Sequence, residues 1–282
     1  MSERRVVLVT GSTDGIGRAT ARGLAAAGMK VIVHGRTKLK VDAALAQLSE
    51  EVPGAELEGV SFDLASLRGV RNGAAHILER LPALHVLVNN AGIFASERTL
   101  TEDGVELTFA VNYLGHFLLT ELLRPRLVAS ASVAPSRVIN VASIAHTRGR
   151  IHVDDLTLAS AWTGYASYAQ SKLAQVMHAI TLAERSDAGK LVAYSLHPGV
   201  ISTKLLRQGF GPVTGSPVDA GARTQVLLAT EASVSGDHPS GSYFSDGVVA
   251  PPATSARDGQ VRAAVWDASM KCAKPGADRH DG

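Results

Sequence analysis

The chain has 282 residues, of which 45% are hydrophobic and 19% charged, and its formal net charge is +2 at pH 7. This composition is typical of a globular protein and excludes a disordered or fibrous chain. A charge so close to zero, without a block rich in Lys or Arg, argues against a nucleic-acid partner or an anionic membrane surface.

The first residues lead directly into an apolar run, Val6-Val7-Leu8-Val9, with no long apolar segment and no small-residue cleavage site before it. The single cysteine, Cys272, can form neither an internal disulfide nor a cysteine-based metal cluster, which fits a reducing compartment. We therefore expect a cytoplasmic protein without a membrane segment.

Short runs of Val, Ile and Leu alternate with Ala- and Leu-rich stretches, a pattern typical of βαβ units around a parallel sheet buried on both faces. The predicted strands lie near 5–10, 30–34, 57–62, 84–89, 136–142, 191–197 and 242–245. The predicted helices lie near 15–28, 39–50, 66–80, 103–129, 165–187 and 218–230. We therefore expect an α/β, doubly wound Rossmann fold with a seven-stranded, mostly parallel sheet and helices on both faces.

No internal repeat and no linker rich in Pro, Gly or Ser divides the chain. Residues 1–270 are therefore expected to form a single dinucleotide-binding catalytic domain. The segment 204–217 is predicted to be a mobile, partly apolar loop beyond a strand end. The tail, 271–282, is polar and is expected to be disordered.

A glycine-rich segment, TGSTDGIG at 10–17, directly follows the first predicted strand and opens the first predicted helix. Glycines allow a tight turn and close approach to a pyrophosphate, and the helix N-terminus favours phosphate charge. An ordinary turn between strand and helix also favours glycine, but position and spacing together indicate a dinucleotide site. The residues predicted to hold the cofactor here are Gly11, Ser12, Thr13, Gly15, Ile16 and Gly17.

The end of the second predicted strand indicates which nicotinamide cofactor is bound. An acidic side chain there would hydrogen-bond the ribose hydroxyls of NAD, but the segment VHGRT at 33–37 has none. Arg36 could pair with a 2′-phosphate through its planar set of donors, although it could also be a solvated surface residue. The sequence therefore favours NADP(H), with NAD(H) still possible.

Tyr168 and Lys172 lie four residues apart in the helix predicted at 165–187 and therefore share one face. A phenol with an ordinary pKa of about 10 is a poor acid–base catalyst at neutral pH, and a nearby ammonium would lower that pKa. Such a pair is also common on helix surfaces, so alone it does not indicate catalysis. Tyr165 is a rival for the acid–base role but has no lysine four residues on.

These motifs occur together with Asn89-Asn90-Ala91-Gly92 after the fourth strand and Ser143 after the fifth. With them the chain resembles the short-chain dehydrogenase/reductase family from residue 5 to about 247. Within that family it looks most similar to the retinol dehydrogenase and WW-domain oxidoreductase branch. That closer similarity is carried by TEDG at 101–104, FAVNYLGHF at 109–117, SRVINV at 136–141 and SLHPGV at 195–200.

The resemblance implies four catalytic residues, Asn112, Ser143, Tyr168 and Lys172. Tyr168 would give a proton to a carbonyl oxygen as hydride arrives, or remove one from an alcohol, and Ser143 would polarise the same oxygen. Lys172 would hold the nicotinamide ribose and lower the pKa of Tyr168, and Asn112 would position a water linking Lys172 to solvent. Without the resemblance, Ser143 could be a strand-end turn residue and Asn112 a helix-interior residue bonded to backbone.

The same resemblance implies further cofactor contacts near the adenine, along the ribose and near the carboxamide. They are Asp63 and Leu64, then Asn89, Ala91 and Gly92, then Ile201 and Thr203. Asp63 could instead cap the helix predicted at 66–80, as could Ser66. The histidines show no metal-ligand spacing, and no metal is predicted.

We therefore expect an NADP(H)-dependent oxidoreductase that interconverts a carbonyl and an alcohol of a small, fairly apolar substrate. Leu205, Leu206 and Phe210 would form one wall of its pocket. Two alternatives stay open: a reductase of an activated carbon–carbon double bond, and a non-catalytic NADP-sensing or scaffold protein. The resemblance also implies a homodimer or homotetramer that pairs through the helices at 103–129 and 165–187.

Overall fold

Apolar runs rich in Val, Ile and Leu form the strands of a central sheet. The computed structural model describes residues 4–232, 234 and 237–274. Within these ranges the strands are β1 Val6–Val9, β2 Lys30–Gly35, β3 Leu57–Ser61, β4 Val86–Asn89, β5 Ser136–Val141, β6 Leu191–His197, β7 Tyr243–Ser245 and β8 Val248–Ala250. Their order is β3-β2-β1-β4-β5-β6-β7-β8, and only β8 runs antiparallel to its neighbour.

Helices cover both faces of this sheet. They are α1 Gly15–Ala26, α2 Lys38–Glu51, α3 Leu67–Arg80, α4 Leu107–Phe109, α5 Gly115–Ser130, α6 Gly164–Glu184, α7 Lys204–Phe210, α8 Val218–Thr230 and α9 Gly259–Cys272. A π-helical segment, Ala110–Leu114, joins α4 to α5. Leu8 packs with α3, α5 and α6 on one face, whereas Val7 and Val9 pack with α1, α2 and α8 on the other. This alternation confirms the predicted doubly wound fold.

The prediction of seven strands is wrong by one, because a short hairpin ends the sheet. β7 turns back into β8 through Asp246 and Gly247, both of which have positive φ, at 51° and 82°. An Asp-Gly pair is a strong signal for such a two-residue hairpin turn. The three-residue β8 is too short for its alternation to reveal it.

Capping side chains set the start of two helices, of which one begins later than predicted and the other was predicted as a loop. The helix expected from 103 begins at Leu107, because Gly104 has a φ of 75° and the carboxylate of Glu106 accepts the N–H of Phe109. The expected loop at 204–217 instead begins with helix α7. The hydroxyl of Thr203 caps this helix by accepting the N–H of Leu206 at 3.2 Å.

The C-terminal helix α9 was not predicted. Asp258 caps it by accepting the N–H groups of Gln260 and Val261. Its buried residues, Arg262, Val265, Trp266 and Ser269, recur at helical spacing, but two of them are polar, which weakens the apolar pattern. Residues 271 and 272, expected to be disordered, end this helix, and 275–282 lie outside the described residues. The single-domain interpretation stays a prediction.

Helix α9 packs across α5 and α6. The Trp266 ring lies 5.0 Å from that of Phe117, and the Arg185 guanidinium lies 4.6 Å from the Trp266 ring. Between Ser167 and Leu182, every residue of α6 except Ile180 is buried. Pairing of two chains through the long helices stays a prediction, and α9 covers part of that surface. No helix in the described part of the chain is long and apolar enough to cross a membrane.

Candidate active site

A cavity of about 710 Å³ opens where the parallel strands end at their carboxyl edge. Ligands of open α/β sheets bind at this edge, where the strand order reverses, here between β1 and β4. Twelve of the predicted cofactor residues line it: Gly11, Thr13, Gly15, Ile16, Gly17, Arg36, Asp63, Leu64, Ala91, Gly92, Ile201 and Thr203. So do three of the predicted catalytic residues, Ser143, Tyr168 and Lys172. The structure therefore brings most of the predicted site together.

Three predicted residues, Ser12, Asn89 and Asn112, lie behind the cavity wall. Ser12 joins the glycine-rich loop to β2, because its N–H donates to the His34 carbonyl and its hydroxyl accepts the His34 N–H, both at 2.9 Å. Asn89 donates to Thr120 and Asn140 inside the protein. Its neighbour Asn90, absent from the predicted set, lines the cavity.

His34 supports the glycine-rich loop from β2. Its Nδ1 accepts the N–H of Gly11 at 3.1 Å, and its Nε2 donates to the carbonyl of Phe62 at 3.1 Å. Both nitrogens can play these roles only while the imidazole is neutral. Burial lowers the pKa of His34 to about 4, so the ring is neutral at physiological pH. Sequence reasoning missed this residue because its partners are distant in the chain.

The glycines of the loop are required by close packing as well as by the turn. Gly11 has a φ of 63°, and a Cβ there would lie 2.8 Å from the Cα of Ala91. A Cβ at Gly17 would overlap the Gly11 carbonyl and the amide of Asn90. Glycine at both positions therefore lets the glycine-rich loop pack directly on Asn90 and Ala91 after β4.

Thr10 and His116 connect the glycine-rich loop to the segment that carries Asn112. The Thr10 hydroxyl accepts the N–H groups of Asn90 and Ala91 at 2.9 and 3.0 Å. It also lies 2.8 Å from Nε2 of His116, whose Nδ1 lies 3.0 Å from the Asn112 carbonyl. Because that carbonyl can only accept, Nδ1 carries the hydrogen and Nε2 accepts from Thr10. Burial lowers the pKa of His116 to about 3, which keeps the ring neutral.

Asn112 lies in the π-helical segment, a local widening that is frequent at functional sites. Its side chain accepts the N–H of Ile93 at 2.8 Å and donates to the hydroxyl of Ser171 at 3.0 Å. A Cβ at Gly92 would lie 3.5 Å from both the Asn112 oxygen and the Lys172 nitrogen. Glycine thus leaves a gap between these two groups, and the predicted role of Asn112 stays a prediction.

Ser143, Tyr168 and Lys172 form a buried group at the inner end of the cavity, exposed by 9%, 5% and 3%. Burial raises the pKa of Tyr168 to about 12, and a hydrogen bond with Ser143 opposes this rise. The Lys172 nitrogen lies 5.6 Å from the Tyr168 ring centroid and donates to other oxygens. Burial thus sets the direction of the Tyr168 pKa in this structure, and the predicted lowering of that pKa by Lys172 stays a prediction.

Aromatic rings and α7 enclose the cavity beside Tyr168. The ring of Phe210 lies 5.8 Å from that of Tyr168, 5.7 Å from that of Phe94 and 6.1 Å from that of Tyr165. Leu205, Leu206 and Phe210 line the cavity, as the sequence analysis proposed. The wall beside Tyr168 is thus apolar, and α7 forms part of it.

The other end of the cavity is basic. Arg36 and Lys40 line it and are exposed, and in the described part of the chain neither forms an ion pair. Asp63 also lines this end and accepts the N–H of Ala65 at 2.9 Å. Ser66, the alternative cap, accepts the N–H of Gly69 and begins α3. Asp63 is therefore available to a ligand of the cavity.

Comparison with known proteins agrees with this geometry. The family model for short chain dehydrogenase matches residues 5–210. Retinol dehydrogenase 14 of Mus musculus is 37% identical, over 94% of this chain and 84% of that protein. Polyprenol dehydrogenase of Mus musculus is 38% identical, over 99% of this chain and 86% of that protein.

Solved structures agree as well. That of an uncharacterized protein from Mycobacterium paratuberculosis has a TM-score of 0.78 and 33% identity, covering 95% of this chain and 93% of that one. Another, assigned as an NAD(P) dependent gluconate 5-dehydrogenase from Beutenbergia cavernae and holding NADP, has a TM-score of 0.68 and 26% identity. It covers 86% of this chain and 94% of that one.

The buried state of His34 predicts a measurable dependence of stability on pH. Its pKa is lower in the folded chain, about 4, than the ordinary 6.5, so unfolding takes up a proton between these values. The free energy of unfolding should fall as pH decreases through this window, by about 1.4 kcal/mol per pH unit for each such histidine. His34→Asn should remove the uptake of about one proton, and so reduce that slope by about 1.4 kcal/mol per pH unit. Urea unfolding measured from pH 7 to 4 gives the slope. His76→Asn, at an exposed position on α3, is the control, and an unchanged slope in His34→Asn would contradict the assignment.

Proposed function

The chain belongs to the short-chain dehydrogenase family, and we propose that it uses NADP(H) to interconvert an apolar alcohol and its aldehyde or ketone. Family membership makes it an NAD(P)-dependent oxidoreductase. The observation that carries the finer proposal is the position of Ser143, Tyr168 and Lys172. These three lie together in a cavity that the glycine-rich loop and the basic residues Arg36 and Lys40 also line.

The residues present fit a nicotinamide dinucleotide. Gly11, Gly15 and Gly17 line the cavity at the N-terminus of α1, where a pyrophosphate would bind. When bound, the nicotinamide ring donates or accepts the hydride. Ile201 and Thr203, after β6, would contact its carboxamide end, and the basic residue Arg36 would contact the adenosine end.

Tyr168 would transfer the proton that balances the hydride. In the direction of reduction its hydroxyl donates a proton to the carbonyl oxygen as hydride reaches the carbonyl carbon, and the product is an alcohol. The raised pKa of Tyr168 keeps the phenol protonated and ready for this step. Ser143, which hydrogen-bonds the phenol, would donate to the same substrate oxygen and stabilise its developing charge.

Lys172 would support both the cofactor and the phenol. Its ammonium lies between Tyr168 and the gap beside Gly92, where a nicotinamide ribose would pass. In the direction of oxidation the phenol must first lose its proton, and a nearby positive charge favours the phenolate. One group thus binds the ribose hydroxyls and stabilises the charge that Tyr168 acquires.

The preference for NADP(H) is supported by charge at the end of β2. Arg36 and Lys40 are exposed there, and Arg36 can offer two parallel N–H groups to a 2′-phosphate. No carboxylate follows β2 in the segment 34–37 to receive the ribose hydroxyls of NAD.

An apolar substrate is supported by the wall beside Tyr168 and by the relatives. Phe210, Leu205 and Leu206 provide apolar surface next to the phenol. The names of the two relatives, retinol dehydrogenase and polyprenol dehydrogenase, describe alcohols with long hydrocarbon parts. An intact group of Ser143, Tyr168 and Lys172 disfavours a purely sensing role, and a phenol beside a serine suits an oxygen acceptor better than a carbon–carbon double bond.

Replacing the proposed acid tests the mechanism directly. Tyr168→Phe should lower kcat for aldehyde reduction by at least about 100-fold, because only the hydroxyl is lost. NADPH affinity, followed by cofactor fluorescence, should change by less than about threefold. Tyr165→Phe is the matched control, since Tyr165 lies one turn earlier on α6 and is 37% exposed. Retained turnover in Tyr168→Phe with loss in Tyr165→Phe would reverse the assignment.

Arg36→Ala tests cofactor choice. Loss of a charge-assisted hydrogen bond to phosphate should raise the Kd of NADPH about 10- to 100-fold and leave that of NADH nearly unchanged. Both constants can be measured by isothermal titration calorimetry. Lys38→Ala removes a neighbouring charge that is 81% exposed and serves as control. An equal change for both cofactors in Arg36→Ala would contradict the preference.

Phe210→Ala tests the apolar wall. Removing the ring that contacts Tyr168 should enlarge the cavity and raise kcat/KM for bulky aldehydes about tenfold relative to small ones. A series of aldehydes of increasing chain length measures this preference. Leu39→Ala, an 81% exposed position on α2, is the control. An unchanged preference in Phe210→Ala would remove this residue from the substrate site.

A further inference from the structure

Lys172 has an unusual environment for a buried cation. Its side chain is 3% exposed, and among the described residues no carboxylate contacts its ammonium. Two neutral oxygens bind it instead: the carbonyl of Val141 at 2.8 Å and the side-chain oxygen of Gln175 at 2.9 Å. A buried charge without an ionic partner depends on such dipoles for its stability.

We propose that Gln175 is a positioning residue of the reaction, which holds the Lys172 ammonium and directs its remaining N–H group into the cavity. The inference rests on the proposed function only in treating Lys172 as part of the reacting site. An ammonium has three N–H donors. Val141 and Gln175 receive two of them, so the third is left for a group in the cavity, which Lys172 lines.

The backbone of Gln175 is anchored beside the lysine. It lies three residues after Lys172 on α6, so the two side chains lie on neighbouring positions of one face. Gln175 is 1% exposed, and its backbone carbonyl accepts the side-chain N–H of Asn140 at 3.0 Å. Asn140 and Val141 are consecutive residues of β5. The ammonium is therefore held between α6 and the end of this strand.

Few charged or titratable groups compete with Gln175 around the ammonium. Tyr168 faces it from α6, and His116 acts on it from α5. From the ends of β4 and β5, the groups that face it are uncharged, namely Gly92 and Val141. Burial lowers the pKa of Lys172, and the oxygens of Val141 and Gln175 that contact the ammonium are the groups that favour its charged form.

Two substitutions of Gln175 should shift the pKa of Lys172 in opposite directions. Gln175→Met keeps the length of the side chain but removes the oxygen, so the charged lysine loses an acceptor and its pKa should fall by about one unit. Gln175→Glu keeps the reach and adds a negative charge, so the pKa should rise by about one unit or more. A residue that served only to fill space would not produce shifts of opposite sign.

The measurement is a pH titration of the ε-carbon resonances of 13C-labelled lysine in the cofactor-free protein. The chain has eight lysines, and Lys172→Arg identifies the resonance of Lys172. Gln170→Met is the matched control, because Gln170 is also fully buried on α6 but contacts the segment near His152 and Leu156. It should cost stability and leave the lysine titration unchanged.

Opposite shifts in Gln175→Met and Gln175→Glu, with none in Gln170→Met, would support the proposal. If Lys172 has the same pKa in all three variants as in the wild type, the proposal is overturned. If Gln175→Met fails to fold, Gln175→Glu alone decides through its upward shift. In turnover assays the alkaline limb of kcat/KM should move in the same two directions. Because the titration needs neither cofactor nor turnover, it can succeed even if Tyr168→Phe shows that the proposed reaction is wrong.

Discussion

The site depends on how the protein satisfies buried polar groups where the strand order reverses, between β1 and β4. The hydroxyl of Thr10 accepts two backbone N–H groups of the loop after β4 and donates to His116. His116 in turn holds the carbonyl of Asn112. One buried side chain at the end of β1 thus fixes the start of the phosphate loop, the loop after β4 and the π-helical segment relative to one another. Because a buried polar group without a partner is costly, these distances are strongly constrained.

Burial disfavours the charged form of both groups of the proposed acid–base pair, although one charge is negative and the other positive. It disfavours the phenolate of Tyr168 and the ammonium of Lys172 alike, raising the pKa of one and lowering that of the other. The protein opposes this with neutral donors and acceptors: Ser143 on the phenol, and Val141 and Gln175 on the ammonium. A carboxylate beside Lys172 would neutralise the charge that the phenolate needs. Neutral oxygens keep the lysine in place without cancelling that charge.

Features carried by short stretches of sequence were predictable, and features that depend on distant partners were not. The glycine-rich loop and the spacing of Tyr168 and Lys172 are local, and both lie in the cavity as expected. His34 and Gln175 gain their importance from Gly11 and from the lysine ammonium, which no periodicity in the chain reveals. Asn90 replaces Asn89 at the cavity wall because consecutive residues at a strand end face opposite directions.

The same distinction applies to the fold. The parallel strands were found because buried runs of Val and Ile are strong signals. Helix α9 was missed because its packing face includes Arg262 and Ser269, which hydrogen-bond Glu184 and Tyr113 from distant parts of the chain. Helix α7 was missed because it has no buried residue, so its cap at Thr203 is its only local signal.

Helices α6 and α7 differ in how deeply they are packed into the protein. α6 is enclosed over its central four turns, so any change of shape there would disturb the packing of both neighbouring helices and β5. α7 has no buried residue, although Leu205 packs against the buried cluster around Tyr168 and the Phe210 ring contacts the ring of that tyrosine. Substitutions in α7 should therefore reshape the cavity beside Tyr168 at a smaller cost in folding free energy than substitutions in α6.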